Sequence, residues 1–382
     1  MHKVLAAAGR SMKTMIKIAW DNGLARRNVT GTGVYAARLL EQLKRMEGLQ
    51  VEVFLGWRDG LPASAVERKL HTMGHILWMQ TSLPRALLKG KFDLLHCPAF
   101  IAPRKAPCPV VITMHDVTYL SYPEGFAWWW VRFLRATMPA AARAAAAILC
   151  GSECSRRDIV KAYSLSLDQV HVVPYGVDHG HFFSSAPLNA AWASRLGIRG
   201  GYVLHVGELS RRKNIPTLLR AVALLRAEGR WGARQLVLAG SHAPGMPGAS
   251  EVYDSIRQLE LGESVIVAGR VAQEHLPGLY AHAALLVMPS WYEGFGFPVV
   301  EAMASGTPVI CSNASSLPEV AGDAGILVPP ADADALAFAM SDVLEHPVLA
   351  DELRRKGLVQ AQRFDWRRTA EATCQVYQTA LQ

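Results

Sequence analysis

The sequence predicts an α/β protein made of two doubly wound parallel-sheet, Rossmann-like domains that face each other across a cleft. Three observations predict it. Short apolar runs rich in Val, Ile and Leu alternate with helical patterns from end to end, as in βαβ units with strands buried on both faces. The chain has 382 residues, enough for two cores at about 150 residues per domain. Near the midpoint, "VVPYGVDHGHFFSSAP" (172–187) has prolines and glycines at its ends and no periodicity, which marks a linker.

Taken in order, the first-half strand candidates are Ile16–Trp20, Val51–Leu55, Phe92–His96, Val110–Met114, Ala146–Cys150 and Val170–Val173. Those of the second half are Tyr202–Val206, Gln235–Ala239, Ser264–Ala268, Ala284–Met288, Pro308–Cys311 and Gly325–Val328. The domains expected are 1–180 and 181–364, with residues 1–14 as a loose tail. A terminal helix over 365–382 has no strand of its own to cover and is expected to cross back and complete the first domain. Ligands of open α/β sheets sit beyond the carboxyl ends of the strands, so residues just after strands are the functional candidates.

Composition bounds the classes. With 51% hydrophobic and 19% charged residues, 31 Gly and 21 Pro, the chain is neither disordered nor fibrous. Six cysteines without a C-x-x-C pair indicate neither a zinc knuckle nor a disulfide framework, and a reducing cytoplasm is the expected compartment. The apolar run Val4–Ala8 is too short for a signal-peptide core, and no uninterrupted apolar window reaches about 18 residues, so no membrane-spanning helix is expected. Residues 1–180 carry 23 Lys and Arg against 13 Asp and Glu, net +10, whereas residues 181–382 carry 17 against 19, net −2. A basic first half fits an anionic membrane surface, an anionic substrate or simply a solvated face. Nucleic acid is not expected, because no recognition motif accompanies the charge.

Two constellations follow second-half strands. In "WYEGFGFPVVEAMASGTPVI" (291–310), Glu293 falls on a loop, and Pro298 marks a helix start with Glu301 in its first turn. Gly294 and Gly296 let backbone N–H groups approach a ligand, and a helix N-terminus favours an anion. Carboxylates suit hydroxyl groups, so the stretch can hold phosphate and hydroxyls together; alternatively Glu301 complements the helix dipole and Glu293 is solvated. In "HVGELSRRKNIPTLLRAV" (205–222), Arg211, Arg212 and Lys213 follow a strand directly, with Asn214 as an N-cap candidate. Three adjacent cations there call for an anion such as a diphosphate.

The first half offers two more. Gly31-Thr32-Gly33 opens a helix, another anion or sugar site, and also fits G-x-G-x-x-A with Glu52 downstream. About ten residues separate it from the strand end at Trp20, which disfavours a dinucleotide fingerprint. His115-Asp116 follows "VVITM", where the imidazole can donate to a sugar hydroxyl and the carboxylate can orient an acceptor. Ser152 or Glu153 is expected to cap a helix. Asp332-Ala-Asp334 reads as a cap rather than a metal motif, and His179 and His181 lack a third ligand. Trp128-Trp129-Trp130 with Arg132 and Arg135 fits either an interfacial helix or, more commonly, core aromatics.

These residues resemble the retaining, nucleotide-sugar-dependent glycosyltransferases of family 4, which have the GT-B fold. The likeness runs from the Gly31–Gly33 stretch through His115-Asp116, "SECSRRDI", "VPYGVD", "VGELSRRKN", "AGRV", "EGFGFPVVEAMASGTPVI" and "SSLPEVAGDAGILV" to the terminal helix. The pair Glu293 and Glu301 is specific only together with Arg212-Lys213. The resemblance implies that Arg212 and Lys213 bind the donor diphosphate and stabilise the leaving group. It implies that Glu293 contacts the donor sugar, with Gly294, Phe295, Gly296 and Phe297 beside sugar and phosphate. Glu301 would accept from the ribose hydroxyls, Arg270-Val271 would lie near the base, and His115 would contact the sugar near the reacting carbon. Gly31, Thr32 and Gly33 would lie near diphosphate and acceptor, with Asp116 on the acceptor side.

Many members carry Arg where this chain has Glu208, so its phosphate arginine is expected to be Arg212, as in an R-K-N branch similar to mannosyltransferases of polysaccharide synthesis. The resemblance therefore implies transfer of a hexose, mannose from GDP-mannose as the leading choice, to a lipid-linked or polysaccharide acceptor. It implies no divalent metal and no cofactor besides the donor, at the inner face of the cytoplasmic membrane. The rival readings are a nucleotide-sugar epimerase or sugar phosphorylase on the same fold, and a non-catalytic sugar-nucleotide-binding subunit.

Overall fold

The computed structural model describes residues 15–25, 31–56, 65–199, 201–241 and 248–382. The tail expected over 1–14 lies outside the described residues. Six strands, β1 (Ile16–Asp21), β2 (Leu49–Phe54), β3 (Leu94–Cys97), β4 (Val110–Thr113), β5 (Ala147–Cys150) and β6 (Val170–Val172), form a sheet in the order β2-β1-β3-β4-β5-β6. A second sheet runs β12-β11-β10-β7-β8-β9. It is built from β7 (Val203–Val206), β8 (Leu236–Ala239), β9 (Val265–Gly269), β10 (Leu285–Met288), β11 (Val309–Ser312) and β12 (Gly325–Val328). The recorded pairings are parallel, and helices lie between successive strands except β3 and β4, which a loop joins, as in the doubly wound arrangement expected.

Each predicted strand is present, with ends moved by one or two residues for local reasons. The third was expected from Phe92 but starts at Leu94. Lys91 takes a left-handed turn (φ 51°), and Phe92 N–H donates back to Leu87 O. The Asp93 carboxylate accepts from Lys17 N–H at 2.7 Å, so the chain crosses a side-chain bridge before ladder pairing begins.

By contacts the chain divides into two compact units, Met1–Thr113 with Ala144–Ala147 and Cys374–Gln382, and Met114–Arg143 with Ile148–Thr373. In the first, Trp20 is fully buried and packs edge-on against His96, with ring centroids 4.6 Å apart. His96 Nε2 meets Thr113 Oγ at 2.8 Å, which meets the Tyr35 hydroxyl at 3.0 Å, and His96 Nδ1 meets the Tyr377 hydroxyl. All four are buried, so this polar chain is satisfied internally. In the second, helix Ile215–Ala227 buries Leu218, Val222 and Leu225, and helix Ala333–Glu345 buries Leu336, Met340 and Val343. The spacing i, i+4, i+7 puts one stripe of each helix into a shared core with β7, β8 and β10. Each fully buried aliphatic side chain there contributes about 1.5–3 kcal/mol.

Helix Trp128–Ala144 divides the tryptophan run between the two roles open to it. Val131, Leu134, Met138 and Ala142 form its buried face, and Trp130 stacks on Phe133 at 5.4 Å, while Trp128 is 75% exposed. No described helix is long and apolar enough to cross a membrane.

Candidate active site

The site grows from the carboxyl end of β7. After Gly207 the chain makes a 3₁₀ turn, Arg211–Lys213, then a left-handed residue, Asn214 (φ 54°), before helix Ile215–Ala227. Asn214 stands at the N-cap position, yet its side chain caps no N–H of the helix. Its amide instead donates to Pro289 O at 3.0 Å and to Pro330 O, and its Oδ1 accepts from Thr217 Oγ at 2.9 Å. The basic turn is thereby tied to the loops that follow β10 and β12. A Cβ at Gly207 would lie 2.8 Å from Lys213 Cε, so glycine clears the path of that side chain.

The three expected cations part company. Arg211 is exposed and pairs with Glu251, Nε to Oε1 at 2.6 Å. Arg212 and Lys213 turn inward onto a single carboxylate: Arg212 Nη1 lies 2.8 Å from Glu293 Oε2, and Lys213 Nζ 2.7 Å from Oε1. Both oxygens of Glu293 are thus occupied by cations. Burial pushes the Glu293 carboxyl up, but Arg212 and then Lys213 outweigh it and hold it at about 2. Burial pulls Lys213 below the ordinary lysine range despite Glu293, while the same carboxylate outweighs burial for Arg212 and raises it.

The loop carrying Glu293 is held atom by atom. Glu293 N–H donates to Ser315 Oγ at 2.8 Å, and the Ser316 hydroxyl lies 2.9 Å from Glu293 O and 2.8 Å from Phe295 O. Gly294 O accepts from Ser152 Oγ at 2.9 Å and Ser155 Oγ at 3.0 Å. Ser152 also caps helix Glu153–Tyr163, as expected, by accepting from Ser155 N–H. The Glu319 carboxylate accepts from the next two N–H groups, Glu153 at 2.7 Å and Cys154 at 2.8 Å, and Tyr292 donates to Asp158 at 2.8 Å. A Cβ at Gly294 would stand 2.6 Å from Asp116 Oδ2 and 2.9 Å from His115 O. Glycine there lets the loop touch His115-Asp116.

His115 is buried, with Nδ1 2.8 Å from the Tyr175 hydroxyl. The Tyr175 ring packs against Phe295 at 4.9 Å and Phe297 at 5.6 Å, so the imidazole and the glycine-aromatic loop share one support. Asp116 Oδ1 accepts from Thr118 N–H at 2.8 Å. Burial raises its carboxyl, and the Thr118 bonds and the Arg212 charge only partly offset that.

Helix Phe297–Ala304 starts after Gly296 (φ 110°), with Pro298 in its first turn. Glu301 was expected in that turn as well; the helix starts one residue earlier, at Phe297, so Glu301 is its fifth residue, just past the first turn where a carboxylate complements the N-terminus. It is half-buried and pairs with no cation among the described residues; desolvation raises it to about 7, against a hydrogen bond from Tyr280 that favours the ionised form. Arg270 is exposed and Val271 half-buried after β9, the edge strand two places from β7 in the same sheet. Gly31, Thr32 and Gly33 open helix Gly31–Leu43 in the first unit. Asp332 caps its helix through Ala335 N–H at 2.8 Å, and His179 and His181 bond to the backbone carbonyls of Phe364 and Gln273.

Residues missed on sequence are those that hold the others: Tyr175, Tyr280, Tyr292, Ser155, Ser315 and Ser316. Ser155, Tyr175, Tyr292, Ser315 and Ser316 lie inside the segments "SECSRRDI", "VPYGVD", "WYEGFGFPVVEAMASGTPVI" and "SSLPEVAGDAGILV" without a role read for them, and Tyr280 lies in none of these segments.

A prediction follows from the triad. Glu293→Ala leaves the buried Lys213 and the half-buried Arg212 without their counter-ion and should destabilise the protein by about 3 kcal/mol in urea unfolding. Because the folded carboxyl is held at about 2 against an ordinary 4.5, its contribution is complete above about pH 4.5 and lost as pH falls through about 2. The stability gap between wild type and Glu293→Gln should narrow over that window; a gap independent of pH would mean the triad does not stabilise the fold.

The family described as "Glycosyl transferases group 1" matches residues 194–360, and "Glycosyltransferase Family 4" matches residues 29–181. The O-antigen chain mannosyltransferase B of Escherichia coli is 32% identical over 301 residues, 76% of each chain. The MMP alpha-(1->4)-mannosyltransferase of Mycolicibacterium hassiacum is 33% identical over 315 residues, 77% of this chain and 72% of the relative. Among solved structures, sucrose-phosphate synthase from Thermosynechococcus elongatus superposes with a TM-score of 0.73 at 23% identity, covering 95% of this chain and 98% of that one. WaaG, a glycosyltransferase of lipopolysaccharide biosynthesis, gives 0.67 at 16%, covering 94% and 99%, which supports the same two-domain GT-B fold. The chain belongs to the family 4 glycosyltransferases.

Proposed function

We propose that this glycosyltransferase is a retaining mannosyltransferase, moving mannose from GDP-mannose to a lipid-linked or polysaccharide acceptor. The observation that carries the reading is the convergence of Arg212 and Lys213 on one buried carboxylate at the carboxyl end of β7. A departing nucleoside diphosphate develops negative charge, and two cations fixed before the reaction stabilise it without reorganisation. The two mannosyltransferases at 32% and 33% identity favour mannose.

In this reading Arg212 and Lys213 take the diphosphate, with the backbone of Gly294–Phe297 beside sugar and phosphate. Glu301 accepts from the ribose hydroxyls, and Arg270-Val271 borders the base. His115 contacts the sugar near the reacting carbon, and Asp116 faces the acceptor. The bond from the sugar's anomeric carbon to phosphate oxygen breaks as the acceptor oxygen bonds to the same face, and the released phosphate oxygen takes the acceptor proton. Glu293, with both oxygens on cations, positions the sugar and does not attack it. Divalent metal has no part, because the two side chains supply the positive charge.

Incubation with GDP-mannose and a lipid-linked or polysaccharide acceptor in EDTA should release GDP and give a product with the donor's anomeric configuration. Transfer from UDP-glucose or ADP-glucose alone would replace mannose, and a need for added Mg²⁺ or Mn²⁺ would end the metal-free reading.

We propose further that the enzyme works at the cytoplasmic face of the membrane. Supporting this are the net +10 of residues 1–180 and the exposed Trp128 beside exposed Arg132 and Arg135. The protein should sediment with anionic vesicles at low salt and release at high salt; equal sedimentation with neutral vesicles would leave the basic half as a solvated face.

A further inference from the structure

Glu301 differs from the other carboxylates of the site. Glu293 sits on two cations and Glu319 on two helix N–H groups, whereas the Glu301 side chain has one hydrogen-bond partner among the described residues, the Tyr280 hydroxyl, 2.7 Å from Oε2. Tyr280 is fully buried on helix Leu276–Ala281, and its position is fixed from several sides. Its carbonyl accepts from Thr307 Oγ at 2.6 Å, the neighbouring Leu279 O accepts from the Tyr202 hydroxyl at 2.6 Å, and its ring meets Phe182 edge-on at 5.7 Å. One carboxylate oxygen is therefore pinned by a rigid donor, and Oε1 is left for a ligand at a half-buried position.

We propose that Tyr280 is a positioning residue for the donor nucleoside: by holding Oε2 of Glu301 it aims Oε1 and keeps the carboxylate in the form that accepts from a ribose diol. The proposal rests on the reading of Glu301 as the ribose acceptor. An acceptor-only carboxylate reads a hydroxyl pair, and a protonated one loses an acceptor site.

Among the described residues, no charged side chain of the elements packed against helix Phe297–Ala304 bonds to Glu301. Glu319 of helix Leu317–Ala321 is committed to the N–H groups of Glu153 and Cys154. Arg354 of helix Pro347–Ala361 donates to Gly306 O and pairs with Asp351, and Glu352 pairs with Lys356. Cys311 on β11 is a buried thiol raised to about 12. Desolvation lifts Glu301 to about 7, and the Tyr280 bond works against that lift. Loss of the phenol should therefore raise the pH at which Glu301 ionises.

The test is calorimetric titration of GDP and 2′,3′-dideoxy-GDP, with the UDP pair in parallel, between pH 5.5 and 8.5. Wild type should bind the ribonucleotide more weakly as pH falls through about 7, while dideoxynucleotide binding stays flat. Tyr280→Phe, which keeps the ring contacts, should bind the ribonucleotide about tenfold more weakly at pH 7. Its pH midpoint should move up, dideoxynucleotide affinity should be unchanged, and donor KM should rise with kcat little altered. Should Tyr280→Phe fail to fold, 3-fluorotyrosine at position 280, a stronger donor of nearly the same shape, should move the midpoint down. An unmoved midpoint in either variant, with Glu301→Gln still losing the preference for ribose, overturns the role of Tyr280 and leaves the reading of Glu301 standing. Equal binding of ribo- and dideoxynucleotide to wild type overturns both.

Discussion

The site turns on one buried carboxylate held between two cations, the buried Lys213 and the half-buried Arg212. Glu293 would be costly at its depth without Arg212 and Lys213, and they would be costly without it. Because the three charges come from the ends of β7 and β10, neighbours in one sheet, their meeting fixes how the two loops lie against each other. The remaining local features follow from that requirement. Asn214 ties the basic turn to the loops after β10 and β12, and the serines at 315 and 316 fix the backbone on either side of Glu293. Glycine at 207 and at 294 makes room where a Cβ would collide with Lys213 or with Asp116.

The same triad explains how the site separates two carboxylates by environment. Glu293 is ionised under all physiological conditions because two cations outweigh its burial. Glu301 has no cation beside it among the described residues, so burial dominates and brings it into the range where protonation responds to ordinary pH. One is suited to sharing cations with a ligand's phosphates, the other to accepting from neutral hydroxyls. His115 joins them through Tyr175, whose ring also supports Phe295 and Phe297.

Much of this was legible in the sequence because buried parallel strands are short apolar runs, and each of the twelve appears where it was read. Candidate residues were found by position, directly after strands, and Arg212, Lys213, Glu293, His115 and Asp116 do come together. What composition could not show is direction. Arg211 is adjacent to Arg212, yet the 3₁₀ turn sends it outward to Glu251. Glu301 was placed in the first turn because proline was taken as the first helical residue; the helix starts one residue earlier, at Phe297, which puts Glu301 just past that turn. Tyr175 and the serines at 155, 315 and 316 fell inside quoted motifs, and Tyr280 outside them, but none had a legible role, because a single hydroxyl bond to a distant group leaves no pattern in spacing.

We propose that Arg212 and Lys213, organised by Glu293, form the anion site of the donor. It is tested most directly by calorimetric titration of GDP into wild type and Lys213→Ala, with guanosine as the uncharged control. Lys213→Ala should weaken GDP binding at least tenfold, the scale of one lost charge-assisted contact, while guanosine binds both proteins alike. Equal GDP affinity in the two proteins would contradict it.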